Sequence, residues 1–552
     1  MEILAAAQGA SKPALPDKKP SGWLGRGDIN ACFGLLLDNL AALVLAVSLL
    51  RQVFHFPTEF ALRYMVPGTA LGVLFGDLAF TWMAIRLGRR TGRSDVTAMP
   101  LGLDTPSTIG MVFFVLGPAY QAGLAAGLSD HDAAARAWHI GICALVISGL
   151  FKLACSLGSN WVRRLVPRAG LLGSLAAISL VLISFLPLMD ILETPLVGIV
   201  TLVILLATLV ARVELPGRIP GALGAVVIGV ALFYALQWSG VVPPHAGSEV
   251  IAAWLPSEWL TAWQGGWVAD LGATLPYLPV VIPFALATVV GGIDCTESAS
   301  AAGDEYDTRQ VIAVEGLATL IAACCGGVIQ TTPYIGHPAY KAMGGRAGYT
   351  LATALIVGSA GIIGYFGLLF AWLPKAAVFP ILIFIGVEIT AQSFLATPRK
   401  HYAAVVLACM PALSYLVMIF ADSLLGQTGK TLSDLSLTAP TLAASLQTMR
   451  ILSGGFIVTS VLWASMLAAL IDRRLKRGAA WLAAAGLCSL FGVIHSPLPG
   501  SPLLLPWDLP ELPTVTAQQT PLRMAAAYGL AAAVLFLWSF WDAGEAAEAA
   551  EA

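Results

Sequence analysis

The sequence predicts an all-α polytopic membrane protein whose two halves run through the bilayer in opposite directions. Three observations predict it. Of 552 residues, 58% are hydrophobic and only 11% charged, about half the charge of an average soluble domain. Nearly uncharged runs of about 18–22 residues, the length of a membrane helix, recur from Ala31 to Trp541. Two runs are broken by proline and glycine at matching places, in DVTAMPLGLDTPSTIG (Asp95–Gly110) and QTTPYIGHPAYKAMGG (Gln330–Gly345).

Taken in order, residues 1–30 are polar, carry Lys12, Lys18, Lys19 and Arg26, and lack the apolar core of a signal peptide, so a cytoplasmic tail is expected. Seven spans follow, near 31–50, 65–88, 103–118, 134–156, 168–188, 194–211 and 218–238. This is the expected first repeat, residues 31–238. A polar, Trp-rich extracytoplasmic loop occupies 239–275. The second repeat, 276–472, holds spans near 277–299, 308–326, 332–344, 349–372, 376–395, 402–421 and 451–471. Two extra spans, near 479–497 and 521–541, fill 473–542, and an acidic tail closes the chain at 543–552. The 103–118 and 332–344 runs are too short to cross about 30 Å as helices.

Charge placement orients the spans. Threaded from a cytoplasmic N-terminus, most of the 30 basic residues fall inside: Arg86, Arg89, Arg90 and Arg93; Lys152, Arg163, Arg164 and Arg168; Arg212 and Arg218; Arg309; Lys341 and Arg346; Arg399 and Lys400; and Arg473, Arg474, Lys476 and Arg477. Both termini are then cytoplasmic, and the expected location is a bacterial cytoplasmic (inner) membrane. The eight cysteines lie in or beside apolar runs without a C-x-x-C spacing and read as small buried apolar residues.

Seven spans before the loop start the second set on the opposite side, which makes the topology inverted. Short, Gly/Pro-interrupted spans in matching positions of inverted repeats point to a secondary transporter and its binding site. Threonine can cap a helix, and proline at the first helical position loses nothing by lacking an N–H. Each Thr-Pro step, Thr105-Pro106 and Thr332-Pro333, therefore reads as the start of a half-helix inside the membrane, its positive end facing a polar ligand. Irregular backbone at that depth is tolerated only within protein or beside water.

Intramembrane acids support such a site: Asp38, Asp77, Asp104, Asp294, Glu297, Glu315 and Glu388. Each costs at least about 2.5 kcal/mol on insertion scales and needs a partner or a proton. Asp294 and Glu297 are i, i+3 neighbours on one helical face and suit ion coupling, with Asp38 as a further candidate. Asp77 and Glu315 read as structural or water-mediated, and Lys341 as a snorkelling anchor. His337 follows the second break. Substrate-binding candidates are Glu297, Asp294, Asp104, Thr105, Pro106, Thr332, Pro333, Tyr334, Gly336 and His337, with Gly336 expected to bring the backbone close to the ligand.

This arrangement resembles the nucleobase–ascorbate (xanthine/uracil) permease family and the wider fold it shares with sulfate and bicarbonate transporters. The likeness covers roughly residues 30–470. It is carried by LLLDNL, standing where the family has a Gln-His pair, by Glu297-Ser298 like the Glu-Ser of its eighth span, and by TTPYIG like its tenth-span motif. Asp38-Asn39 replaces Gln-His, and Pro333 and Tyr334 stand where the family has an acid or amide and an Asn. The resemblance implies a 7+7 inverted-repeat fold with two short strand-to-half-helix spans, the substrate lying between them and the eighth span, and a homodimer.

The resulting expectation is a permease for a small polar or anionic solute, xanthine- or uracil-like, coupled to protons or sodium. The alternative is a sulfate- or bicarbonate-type anion transporter, and a passive channel ranks below it. No H-E-x-x-H, G-x-S-x-G or phosphate-loop pattern appears, so neither an enzyme, a metal site nor a cofactor is expected. The expected partners are a small solute, the coupling ion and lipid, with no nucleic acid.

Overall fold

A computed structural model describes residues 22–551 apart from 217–218, 220, 244–252, 367, 369–371, 500 and 513. The basic N-terminal tail and part of the expected outer loop lie largely outside the described residues. Helices or strands coincide with all sixteen apolar runs. The first half comprises α1 (Gly27–Phe54), α2 (Val66–Thr91), strand β1 (Leu101–Leu103), α3 (Thr105–Met111), α4 (Gly117–Ala125), α5 (Asp130–Leu165), α6 (Arg168–Ile178), α7 (Pro195–Leu209) and α8 (Gly221–Trp238). The second comprises α9 (Leu278–Ala301), α10 (Thr308–Cys324), strand β2 (Thr331–Pro333), α11 (His337–Ala342), α12 (Gly348–Ile363), α13 (Pro380–Leu395), α14 (Tyr402–Gln427), α15 (Pro440–Ser453) and α16 (Phe456–Ile471). Two more helices, α17 (Leu475–Leu490) and α18 (Val515–Glu551), follow.

Among the described residues, nine helical segments are long and apolar enough to cross a bilayer. Others are short: α7, at 15 residues, extends only about 22 Å. The run near 451–471 is not one helix. α15 and α16 meet at 73°, where Gly455 turns the chain through φ +65°, a conformation that favours glycine.

The helices pack as two bundles. α10 packs on α5 and α2, α12 on α2 and α1, and α9 on α5; these hold the strands. In the second bundle α14 and α16 pack on α6, α13 on α6, and α8 on α7. β1 and β2 pair antiparallel, Leu101 opposite Pro333 and Leu103 opposite Thr331, as a two-fold relation between oppositely oriented halves requires. The C-terminal α18 leans on α17, and Tyr528 Oη joins it to Trp463 Nε1 and His495 Nε2, each at 2.7 Å. Elsewhere α18 presents Leu530, Val534, Phe536, Leu537 and Trp538 outward, a composition suited to lipid. The eight cysteines are free and Cys324 is exposed, so not all of them are the small buried residues the sequence suggests.

Candidate functional site

A two-stranded ribbon inside a membrane domain leaves backbone groups that need partners. Side chains supply them. Asp77 Oδ1 accepts from Leu101 N at 2.9 Å, and Asn39 Nδ2 donates to Leu101 O at 3.3 Å. Lys152 Nζ donates to Thr331 O at 2.8 Å, and Cys295 Sγ to Pro333 O at 3.3 Å. Backbone bonds from Tyr334 to Pro100 and from Asp104 to Gln330 extend the pairing.

The two breaks then diverge. α3 starts at Thr105, but its cap is Asp104: the carboxylate accepts from Ser107 N at 2.7 Å and the carbonyl from Thr108 N at 2.8 Å. The chain's own acid thus already meets the positive end of the helix. Thr332 and Pro333 do not start a half-helix; they lie in β2. α11 begins at His337, with Pro338 in its first turn, and runs only six residues. Gly336 does not bring the backbone toward an open pocket: a Cβ there would meet the Tyr340 ring at 2.7 Å and the Tyr334 ring at 2.9 Å.

His337 and Lys341 serve a different knot. His337 Nε2 lies 3.2 Å from Thr97 O and 3.3 Å from Asp304 Oδ2, while Lys341 Nζ contacts Asp304 at 2.6 Å. Asp304 also accepts from Thr97 N at 3.0 Å and pairs with Arg93 at 3.1 Å. Burial opposes the Asp304 carboxylate, yet the hydrogen bonds and charges of His337 and Lys341 outweigh it and hold its pKa down to about 2. Lys341 is therefore an ion-pair partner and not a snorkelling anchor.

Around the ribbon sits a cluster of buried polar groups. Asp38, on α1, approaches so closely that a Cβ on Gly102 would lie 3.2 Å from its Oδ2 and 3.3 Å from Tyr334. Asn39 Oδ1, both amide atoms of Gln330 and the Tyr340 hydroxyl are buried without a hydrogen-bond partner, while Asp38 and the Tyr334 hydroxyl interact with each other. Such unpartnered groups are rare in a finished core, and each calls for a physical explanation. Beside them Lys152 Nζ lies 3.0 Å from Glu315 Oε1, both side chains fully buried. Lys152 is thus not part of a cytoplasmic anchor group. It sits about 20 Å short of the helix end at Leu165.

Glu297 lies elsewhere, and Asp294, although it directly precedes the Cys295 that bonds the ribbon, turns toward α6. Glu297 accepts from Arg163 Nε at 2.8 Å and Arg168 Nε at 2.6 Å, on a cleft of about 710 Å³ also lined by Arg90, Arg164 and Glu305. Asp294 accepts from Ser174 on α6, and Ser298 exchanges two 3.0 Å bonds with Gln392 on α13. This arginine-rich end of α9 is fastened to the second bundle. Its other end faces a vestibule of about 390 Å³ lined by Gly110, Phe113, Phe284, Tyr415 and Phe456.

Of the expected site residues, the ribbon gathers Asp38, Asp104, Thr332, Pro333 and Tyr334; Asp294 lies beside it on α9, its carboxylate bonded to Ser174, and Glu297 and His337 bond to other partners. Thr105 and Pro106 are placed by backbone alone, at the first turn of α3. Sequence reasoning missed Lys152 and Gln330. A lysine flanked by apolar residues in LFKLACS, and a glutamine opening the second break, were the available signals.

No protein-family model matches the chain, and no curated protein matches it. Among solved structures it is similar to the transmembrane domain of a cyanobacterium bicarbonate transporter, BicA (17% identity, 71% of this chain and 97% of that one, TM-score 0.41). SLC26A9 shows 13% identity over 70% of this chain and 61% of that one, with a TM-score of 0.39. The murine Slc26a9 anion transporter in the inward-facing state shows 13% identity over 74% and 71%, with a TM-score of 0.36. Likenesses this loose assign no activity to this chain.

Proposed function

We propose that the chain is a secondary active transporter for a small anion, coupled to protons at the ribbon. The observation that carries this reading is the set of buried polar groups, several without a hydrogen-bond partner, gathered around two paired strands. Asp38, Asp104, Gln330 and Tyr334 form the site, with the Lys152–Glu315 pair behind it. Asp38, Asp104 and Glu315 outnumber their one cation, Lys152, and a bare buried carboxylate takes up a proton or a cation. An anion entering this acid-rich site is best accompanied by protons, which makes the coupling ion part of the binding chemistry.

A xanthine- or uracil-like solute is the second reading. It loses ground because Glu297, which the permease resemblance would place on the base, is occupied by Arg163 and Arg168. On the charge rule the arginine-rich end is cytoplasmic, so the vestibule opens outward, and transport would rock one bundle against the other.

Purified protein in liposomes, given an inward proton gradient, tests this against bicarbonate, sulfate, small carboxylates, xanthine and uracil. Gradient-driven uptake of an anion, lost in Asp38→Asn, is expected. Uptake of only xanthine or uracil would move the assignment to the second reading, sodium dependence would replace the proton, and large unitary currents would make it a channel.

A further inference from the structure

The vestibule carries chemistry that the ribbon does not use. Arg450, in the last turn of α15, lines it together with Asp422 of α14 and Lys430. The guanidinium contacts the Asp422 carboxylate, but Arg450 Nε is buried without an acceptor. The two partners differ in exposure. The Arg450 side chain is 9% exposed and that of Asp422 35%, so the acid can swing into water while the cation stays. A cation held in a largely apolar wall, with an unused donor and a partner that can leave, is a receptor for a carboxylate. The rest of the wall sets the class of guest. Phe113, Phe114, Phe284, Tyr415 and Phe456 line the cavity, and Tyr415 stacks on Phe456 at 4.6 Å. Its volume, about 390 Å³, falls within the range of small-molecule sites.

We infer that the vestibule is a second binding site, for a monocarboxylate with an apolar body, in which the ligand displaces Asp422 from Arg450. The site is separate from the ribbon, and a ligand seated between α9 and α14–α16 holds the bundles apart at that end. It binds whether or not the same compound is carried.

The test is equilibrium binding of phenylacetate to purified full-length protein, by calorimetry and by thermal shift, with phenylacetamide and sulfate as controls. Phenylacetate should bind and the neutral amide should not. Arg450→Gln should weaken binding at least tenfold. Asp422→Asn removes the competitor and should tighten binding several-fold, which keeps the test decisive if the arginine variant does not fold. Equal binding of the amide, unchanged binding in Arg450→Gln, no tightening in Asp422→Asn, or binding of sulfate in place of phenylacetate would each overturn the assignment. Absence of proton-driven transport for every solute would defeat the proposed function and leave this binding result standing.

Discussion

Glu315 and Glu297 are both glutamates of the same bundle, each paired with cations, and the pairs do opposite things. Glu315 on α10 meets Lys152 on α5, within one bundle and with no solvent on either side chain. Glu297 on α9 is shared between Arg163 of α5 and Arg168 of α6, so its second bond crosses to the other bundle; the Arg168 side chain is 53% exposed. An ion pair sealed inside one rigid unit sets whether that unit folds. One that spans two units, with one partner on a wet cleft, contributes less stability and biases how the units sit. Location relative to the bundle boundary, more than residue type, separates a structural pair from a latch.

Breaking the sealed pair should have the largest effect. Lys152→Met leaves Glu315 without its cation and frees the Thr331 carbonyl, at a cost of about 3–5 kcal/mol, read as a large fall in melting temperature in detergent. Lys152→Met/Glu315→Gln should recover most of that loss, because no charge is stranded. A single variant as stable as the wild type would show that the pair is not sealed.

Asp304 comes next. Its carboxylate is buried and joins the first break, through Thr97, to α11, through His337 and Lys341. Because its folded pKa, about 2, lies below the unfolded value of about 3.9, its contribution is complete above pH about 4 and is lost as pH falls toward 2. The size is on the order of 2 kcal/mol. Asp304→Asn should be less stable at pH 7 and should lose less on acidification than the wild type; parallel acid curves would remove Asp304 from the account.

Glu297→Gln should cost the fold less than Lys152→Met: the Glu297 and Arg163 side chains are only 9% and 12% exposed, but Arg168 is 53% exposed and the amide oxygen can still accept a hydrogen bond. Its effect should be on conformation. Removing the inter-bundle bond shifts the balance away from the clamped state, and a shift of about 1.4 kcal/mol is tenfold in population. A cysteine placed at Ser298 should then label several times faster from the arginine-rich side. Unchanged labelling together with lost transport would return Glu297 to the substrate, as its sequence context first suggested.

How far the sequence could reach follows from what each signal measures. Hydropathy sees apolar runs, and it found the position of all sixteen; it cannot see that α7 is short or that α15 and α16 are bent at Gly454–Gly455. Thr-Pro steps and paired interruptions located β1 and the start of α3, because proline fixes local backbone geometry. They misplaced the second helix start by several residues, since a short strand and a helix turn accept the same TTP. Asp77 was readable as structural or water-mediated, but the bond its carboxylate makes to Leu101 N shows only in the packing. Lys152 was not readable, because hydropathy cannot tell an interface anchor from a lysine whose acid lies on a distant helix. Glu297 was legible as intramembrane, but only tertiary packing shows which arginines face it.

The smallest effect should come from Lys400, and it calibrates the other three. Lys400 Nζ lies 2.5 Å from Asp472 Oδ1, and His401 Nε2 2.9 Å from the same oxygen. The geometry is as close as that of Lys152 and Glu315, but the Lys400 side chain is 61% exposed. Water solvates both charges once the pair opens, and side-chain ordering offsets much of the attraction. Lys400→Ala should therefore change stability by less than about 1 kcal/mol, leave Ser298 labelling unchanged, and matter less still at high salt. A loss approaching that of Lys152→Met would mean that short contact distance sets the energy here, and the distinction between sealed and wet pairs would fall with it.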